Sequence, residues 1–162
     1  MQRTVDIADD MDHGQLQAIL AQKGAALLQE TLDGLEAGNV SRSKQDDGLA
    51  TYAAMIKPED EIIDWQHSAE DILNQIRALS PKPGAYTTHR GTRFKIFAAQ
   101  IDDANKTGMP GRIAEINKTG FIVETGCGTL RINEVQKEGK SRMSSSDFLK
   151  GAPLLMGDIL GG

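Results

Sequence analysis

Apolar side chains recur through residues 12–37 at helical spacing. Leu16, Ile19, Leu20, Leu27, Leu28 and Leu35 recur at steps of three, four and seven. The spacing predicts one amphipathic helix, opened by Asp12 as N-cap and stopped by Gly38. Gly24 weakens its middle by about 1 kcal/mol relative to alanine. Residues 1–11 offer no neighbouring element to cover the stripe, so its cover must come from outside the segment. Residues 38–57 read as a linker, and the stretch Gly38-Asn39-Val40-Ser41-Arg42-Ser43-Lys44-Gln45-Asp46-Asp47-Gly48 within it is polar with no period. As a flexible coil this linker spans roughly 25 Å, long for a connection inside one compact domain.

Residues 58–162 read as a second domain. Ser68-Ala69-Glu70-Asp71 resembles a capping box with Asp in place of the usual Glu. The helix it opens carries Ile72, Leu73, Ile76 and Leu79 and ends before Pro81. Five strand-like segments come next, at Ala85–Thr88, Arg93–Ile101, Arg112–Ile116, Phe121–Glu124 and Thr129–Gln136. Asn117-Lys118-Thr119-Gly120 and Gly126-Cys127-Gly128 mark the turns between the last three. Phe94, Ile96 and Ala98 alternate with Arg93 and Lys95, and Leu130 and Ile132 alternate with Arg131 and Asn133. A final helical turn is expected at Ser145–Leu149. The pattern predicts a mainly β fold: a five-stranded OB-like barrel with flanking helices, preceded by a lone helix and an extended linker. An SH3-like barrel or an open sheet is the competing arrangement. The domain limits are 1–37, 38–57 and 58–162.

Composition narrows the class. Of 162 residues 39% are hydrophobic and 25% charged, as in a globular protein. Aromatics reach only 4%, so aliphatic side chains must build most of the core. The longest apolar runs, such as Pro153-Leu154-Leu155-Met156, fall far short of the ~20 residues that span a bilayer. The N-terminus carries no apolar export segment. A single cysteine, Cys127, excludes an internal disulfide framework and a cysteine-rich zinc site. Together these point to the cytoplasm. The net charge of -5 conceals a division. Residues 1–71 hold 5 Lys and Arg against 15 Asp and Glu, whereas residues 72–150 hold 13 against 7. Only the second part has the balance of a polyanion-binding surface.

Most candidate catalytic motifs dissolve on inspection. Gly139-Lys140-Ser141 ends like a phosphate loop, but position 134, where that motif needs glycine, is Glu. His13, His67 and His89 lack metal-ligand spacing. Ser141, Ser144, Ser145 and Ser146 have no Gly-x-Ser-x-Gly context. The acidic run Glu59-Asp60-Glu61 with Asp64 reads as a solvated face, and no cationic neighbour activates Cys127. What remains is basic: Arg77, Arg90, Arg93, Lys95, Arg112, Lys118, Arg131, Lys137, Lys140 and Arg142. On one face these would bind phosphates. Tyr86, Phe94, Phe97 and Phe121 are few, and Phe94 and Phe121 serve the core, which favours backbone and shape recognition of folded RNA over base stacking.

Several short motifs together resemble one family. Ala50-Thr51-Tyr52-Ala53, Ile63-Asp64-Trp65, Ile76-Arg77-Ala78-Leu79 and Pro81-Lys82-Pro83-Gly84-Ala85 are similar to the linker and C-terminal domain of methionyl-tRNA formyltransferases. The block from Gln136 to Gly151, with Gly139-Lys140, Arg142-Met143 and Asp147-Phe148-Leu149, is similar to that family's last motif. The resemblance reaches back through Ile7, Gly14, Leu16, Gly24-Ala25 and Leu27-Leu28. It implies a half-enzyme: the last helix of a missing Rossmann-like catalytic domain, a linker and an OB-like domain that helps bind tRNA. The family moves a formyl group from 10-formyltetrahydrofolate to the amino group of methionyl-initiator tRNA. Its catalytic Asn, His and Asp lie near a Ser-Leu-Leu-Pro motif absent from this chain, so the chain is expected to be inactive alone. No catalytic, cofactor or metal residue is assigned, and His13 is not the catalytic histidine. Arg77, Arg93, Lys95, Lys118, Lys140 and Arg142 are the expected nucleic-acid-binding residues. Initiator tRNA is the expected partner, and self-association through residues 12–37 is expected from the uncovered helix. A related formyltransferase acting on a nucleotide sugar or another metabolite, or a generic interaction barrel, is the alternative.

Overall fold

The computed structural model describes residues 1–151 and 154–162; Ala152 and Pro153, which opens the apolar run just named, lie outside the described residues. The chain divides into two compact units, Met1–Ile56 and Lys57–Gly162.

The first unit is built on α1 (His13–Glu36). The Asp12 carboxylate accepts from the Gln15 N–H at 2.8 Å, and the Gln15 side-chain oxygen accepts from the Asp12 N–H at 2.9 Å. This reciprocal cap satisfies two groups that the first turn leaves without partners. At the other end the Asn39 N–H reaches the Gly34 carbonyl at 2.8 Å, a Schellman-type closure. The expected helix stands within one residue at each end. No residue of α1 is buried, and Leu20, Leu28, Leu32 and Leu35 are all about half exposed. Between Gly38 and Lys57 the only regular piece is a 3-10 turn, Asp47–Leu49, capped by Asp46.

The second unit holds α2 (Ala69–Leu79), six strands and α3 (Ser145–Gly151). The strands are β1 (Tyr86–His89), β2 (Thr92–Asp103), β3 (Ile113–Asn117), β4 (Gly120–Glu124), β5 (Thr129–Lys137) and β6 (Met143–Ser144). Every pair is antiparallel, in the order β1-β2-β5-β4-β3, with β6 added on β5. Three helices and six strands make the fold mixed rather than mainly β. The sixth strand, at two residues, is too short to show any alternation. Among the described residues β1 and β3, the ends of the path, do not pair with each other, so the strands alone do not close a barrel.

Local chemistry accounts for the departures from expectation. The Ser68 hydroxyl accepts from the Asp71 N–H, as a capping box requires. The return bond is replaced by the hydroxyl donating to the Asp71 carboxylate at 2.6 Å, because Asp is one methylene too short to reach back. On β2 the register slips between Ile96 and Ala98 and again between Ala98 and Ala99. The extra residue turns Ala99, not Ala98, toward the core. β1 and β2 join through Arg90 and Gly91, both with positive φ (52° and 72°), the signature of a type I′ hairpin turn. Arginine is a poor residue for that conformation. The Arg90 guanidinium pairs with Asp158 at 3.2 Å, which helps offset the strain.

One aromatic ties the unit together. The Trp65 indole N–H donates to the Thr87 hydroxyl on β1 at 3.0 Å, and its carbonyl accepts from the Gly126 N–H at 2.9 Å. Its ring packs against Gly111, before β3, and Gly161 in the tail. A Cβ at Gly111 would stand 2.5 Å from the Leu160 carbonyl, and one at Gly126 only 1.8 Å from the Gln66 carbonyl, so both close approaches need glycine. The tail occupies both sheet ends. The Ile113 N–H donates to Asp158 O, the Leu160 N–H to Gly111 O and the Gly161 N–H to Thr88 O. Substituting Trp65→Ala should lower the stability of unit 57–162 by about 3–5 kcal/mol, read as a drop in the urea midpoint by near-UV signal.

Glu124, with its side chain 3% exposed, is the main buried charge. Its carboxylate takes two hydrogen bonds from Arg112, at 2.7 and 2.8 Å, and one from the Met109 N–H at 2.9 Å, fastening loop 104–111 over β4. The Arg112 hydrogen bonds hold its pKa below the ordinary carboxylate value against the opposing effect of burial. A lowered folded-state pKa gives stability that is present above the unfolded value and lost as pH falls through the folded one. Glu124→Gln should therefore cost about 1–3 kcal/mol at neutral pH. Its urea midpoint should also fall less steeply than that of the wild type below about pH 4, where unfolded carboxylates begin to protonate.

Candidate nucleic-acid interface

Strand alternation sends Phe94 and Ile96 into the core and leaves Arg93 and Lys95 on the other face of β2. The register sets their neighbours. Thr88 on β1 stands opposite Arg93, while Lys95 lies between Tyr86 on β1 and Gln136 on β5. The Arg93 guanidinium sits 3.8 Å above the centre of the Tyr86 ring, a cation–π stack that fixes a long flexible side chain. The Lys95 ammonium donates to the Pro83 carbonyl at 2.6 Å. Gln136 reaches along its face to the Lys140 carbonyl at 2.7 Å and pins the β5–β6 turn beside the row. Beyond it, the Arg142 guanidinium lies 4.5 Å over the Phe97 ring. A shallow hollow of about 180 Å³ runs between Arg93, Lys95, Gln136, Lys137 and Glu138.

The basic residues fall into two groups. Arg90, Arg112, Arg131, Arg142 and Lys150 each pair with a carboxylate: Asp158, Glu124, Asp102, Glu134 and Asp147 respectively. Among the described residues no carboxylate lies within ion-pair distance of Arg93, Lys95, Lys118, Lys137 or Lys140. Four of these five, all but Lys118, stand on β2, at the end of β5 and in the turn after it. A pair that is already neutralised offers a phosphate little, whereas unpaired cations release counterions on binding one.

Of the six residues expected from sequence, the structure gathers Arg93, Lys95, Lys140 and Arg142, the last held by Glu134. Arg77 lies one turn before the α2 C-cap Ser80, bonded to Asn74 at 3.1 Å. Ser80 itself donates to the Phe97 carbonyl at 2.8 Å, which docks this end of α2 on β2. Lys118 is at the tip of the β3–β4 turn, across β5 from β2. Lys137 belongs to the cluster but was outside the six. Tyr86 and Phe97 belong to it as well; the signal for Phe97 was the alternation Arg93-x-Lys95-x-Phe97 along one strand. The histidines stay apart: His67 is 3.9 Å from Asp64, and His89 is 3.0 Å from Asp158. The Leu155 N–H first, then His89 and Arg90, hold the Asp158 carboxyl below the usual range. Among the described residues no group of three His, Cys, Asp or Glu side chains is placed to hold a metal ion, and no helix is long and apolar enough to cross a membrane.

Comparison with known proteins fits this geometry. The family profile described as formyl transferase, C-terminal domain, matches residues 55–153. Methionyl-tRNA formyltransferase of Syntrophomonas wolfei is 46% identical over 99% of this chain and 52% of its own length. The enzymes so named from Moorella thermoacetica and Bacillus subtilis are 42% and 44% identical, over 52% and 50% of their lengths. The chain thus spans about half the length of these relatives. A substituted variant of HypX from Aquifex aeolicus superposes with a TM-score of 0.67 at 19% identity, covering 91% of this chain and 28% of that one, which is a likeness of fold. With 99 consecutive residues matched and the Ile63-Asp64-Trp65 and Pro81–Ala85 motifs in place, the chain belongs to the formyl transferase C-terminal domain family.

Proposed function

We propose that this chain is the tRNA-binding C-terminal part of a methionyl-tRNA formyltransferase, acting in translation initiation in the cytoplasm. The whole enzyme would formylate the amino group of methionyl-initiator tRNA with 10-formyltetrahydrofolate as co-substrate. The observation that carries the reading is the cluster Arg93, Lys95, Lys137 and Lys140 around one end of β2 and β5, with no carboxylate partner among the described residues, in a chain whose relatives bear that enzyme's name. Stacking on Tyr86 holds Arg93 extended, so less side-chain freedom is lost when a phosphate arrives. The unit is read as an OB-like barrel in which the tail at residues 157–161 and the segment Ile62–Trp65 take the place of a closing strand pair. Arg77, Lys118 and Arg142 extend the phosphate surface outward from the cluster. Within the chain the chemistry of transfer has no candidate trio, so catalysis would rest with the other half of such an enzyme.

The exposed leucines of α1 require a cover. Fully burying one is worth roughly 1.5–3 kcal/mol. In a full-length enzyme the other half supplies it; in this chain alone a second copy does, because two-fold pairing buries the same stripe twice.

Three outcomes are expected for the purified chain. It yields no formyl transfer from 10-formyltetrahydrofolate above a no-protein control. It binds initiator tRNA with a steep dependence on salt, and Arg93→Ala or Lys140→Ala each lowers the slope of log K against log salt by about one. Arg142→Ala, already paired, lowers it less; unchanged slopes for Arg93 and Lys140 reject the assigned face. By light scattering the chain is a dimer, and a version starting at Asn39 is a monomer.

A further inference from the structure

A second hollow adjoins the basic one and is built differently. It is a cavity of about 120 Å³ beside the β1–β2 hairpin. Its floor is three buried apolar side chains: Phe94 of β2, Phe148 of α3 and Leu154 of the tail. Its rim is Arg90, Thr92, Arg93 and Lys137. Arg93 and Lys137 also line the basic hollow, so they form the ridge between the two. Arg90 and His89 are held by Asp158, which leaves Arg93 and Lys137 as the rim cations without a carboxylate partner among the described residues.

An apolar floor beside unpaired cations fits a ligand that is flat and apolar at one end and anionic at the other. An unpaired nucleotide has that form, whereas a paired one keeps its base inside the helix. The volume is close to that of a cavity that takes up a benzene ring, roughly 150 Å³, which suits a one-ring base. Resting on the RNA-binding reading above, we infer that this cavity receives the pyrimidine base of one unpaired nucleotide of a bound RNA. Its 5′ or 3′ phosphate lies across the ridge against Arg93 and Lys137. The Phe94 and Phe148 rings, 5.1 Å apart and tilted by 52°, meet the base at their edges. The Thr92 hydroxyl at the rim supplies a hydrogen-bonding group for the base. The site thereby adds a contact that phosphate attraction alone lacks: discrimination of a single-stranded position from a duplex.

The test uses the whole chain, a five-residue oligouridine RNA and a duplex RNA of matched phosphate number, in fluorescence anisotropy at fixed salt. Thr92→Tyr, which fills the mouth of the cavity and keeps a strand-favouring residue, is expected to weaken oligouridine binding about tenfold and duplex binding less than twofold. Lys137→Gln is expected to weaken both. A folded Thr92→Tyr chain, confirmed by thermal melting, that keeps wild-type oligouridine affinity overturns the inference. Should Thr92→Tyr not fold, 4-thiouridine placed in the oligonucleotide decides on the wild-type chain. Adducts on the peptides carrying Thr92–Phe94 or Phe148 support the cavity; adducts confined to other peptides, or none, overturn it. If free uridine monophosphate blocks the crosslink at lower concentration than the oligonucleotide does, the assignment to an RNA strand is overturned in favour of the free nucleotide. A chain that binds initiator tRNA but not the oligonucleotide rejects this inference alone, and one that binds no RNA rejects the RNA-binding reading with it.

Discussion

The second unit depends on Trp65 and the four places it meets. Its ring is wedged between Gly111 and Gly161, its indole N–H is taken by Thr87, and its carbonyl holds the turn at Gly126. Those contacts reach β1, the approach to β3, the β4–β5 turn and the tail. Each is non-local, and the three made by the indole would leave an unpartnered hydroxyl or a void if it were absent. In a sequence poor in aromatics, one large side chain with a single polar atom does what several leucines could not. It fills volume and satisfies a hydroxyl in the same place.

That anchoring has an electrostatic counterpart. The sheet ends are drawn together partly by charge: Asp158 of the tail receives Arg90 and His89 from the β1–β2 hairpin, and Glu124 receives Arg112. The two arginines are consumed by the fold. The row on β2 and β5 is composed of cations that no carboxylate among the described residues neutralises, which is why it can serve something else. Net charge alone could not separate the two groups, since both contribute equally to the positive balance of residues 72–150.

Legibility followed the range of the interaction. α1 and α2 were readable because Asp12, Gly38, Ser68 and Pro81 act within a few residues of the ends they define. The five longer strands were readable from strand-like segments between turn signals, and β2 and β5 also from alternation, until the bulge at Phe97 moved the inward position from Ala98 to Ala99. β6 and the burial of Glu124 gave no local sign, because each is settled by a partner elsewhere along the chain: Glu134 and Val135, and Arg112. For the candidate interface, the basic residue types were evident but not their company. Arg142 is spoken for by Glu134, Lys118 sits across β5, and Lys137, which register places opposite Phe94, meets Arg93 only around the hollows at the strand end.

The tail has a consequence in time as well as in space. A ribosome delivers residues 157–161 after all six strands, yet the groups they satisfy lie at both extremes of the sheet. At about 5–20 residues per second, the chain from Ser144, the end of β6, to Gly161 takes roughly 1–3 s to make. During that interval β1 and the approach to β3 carry bare N–H and C=O groups, the kind of edge to which a strand from another nascent chain can add. Crowding of ribosomes on one message would therefore endanger this unit most in the last moments of its synthesis.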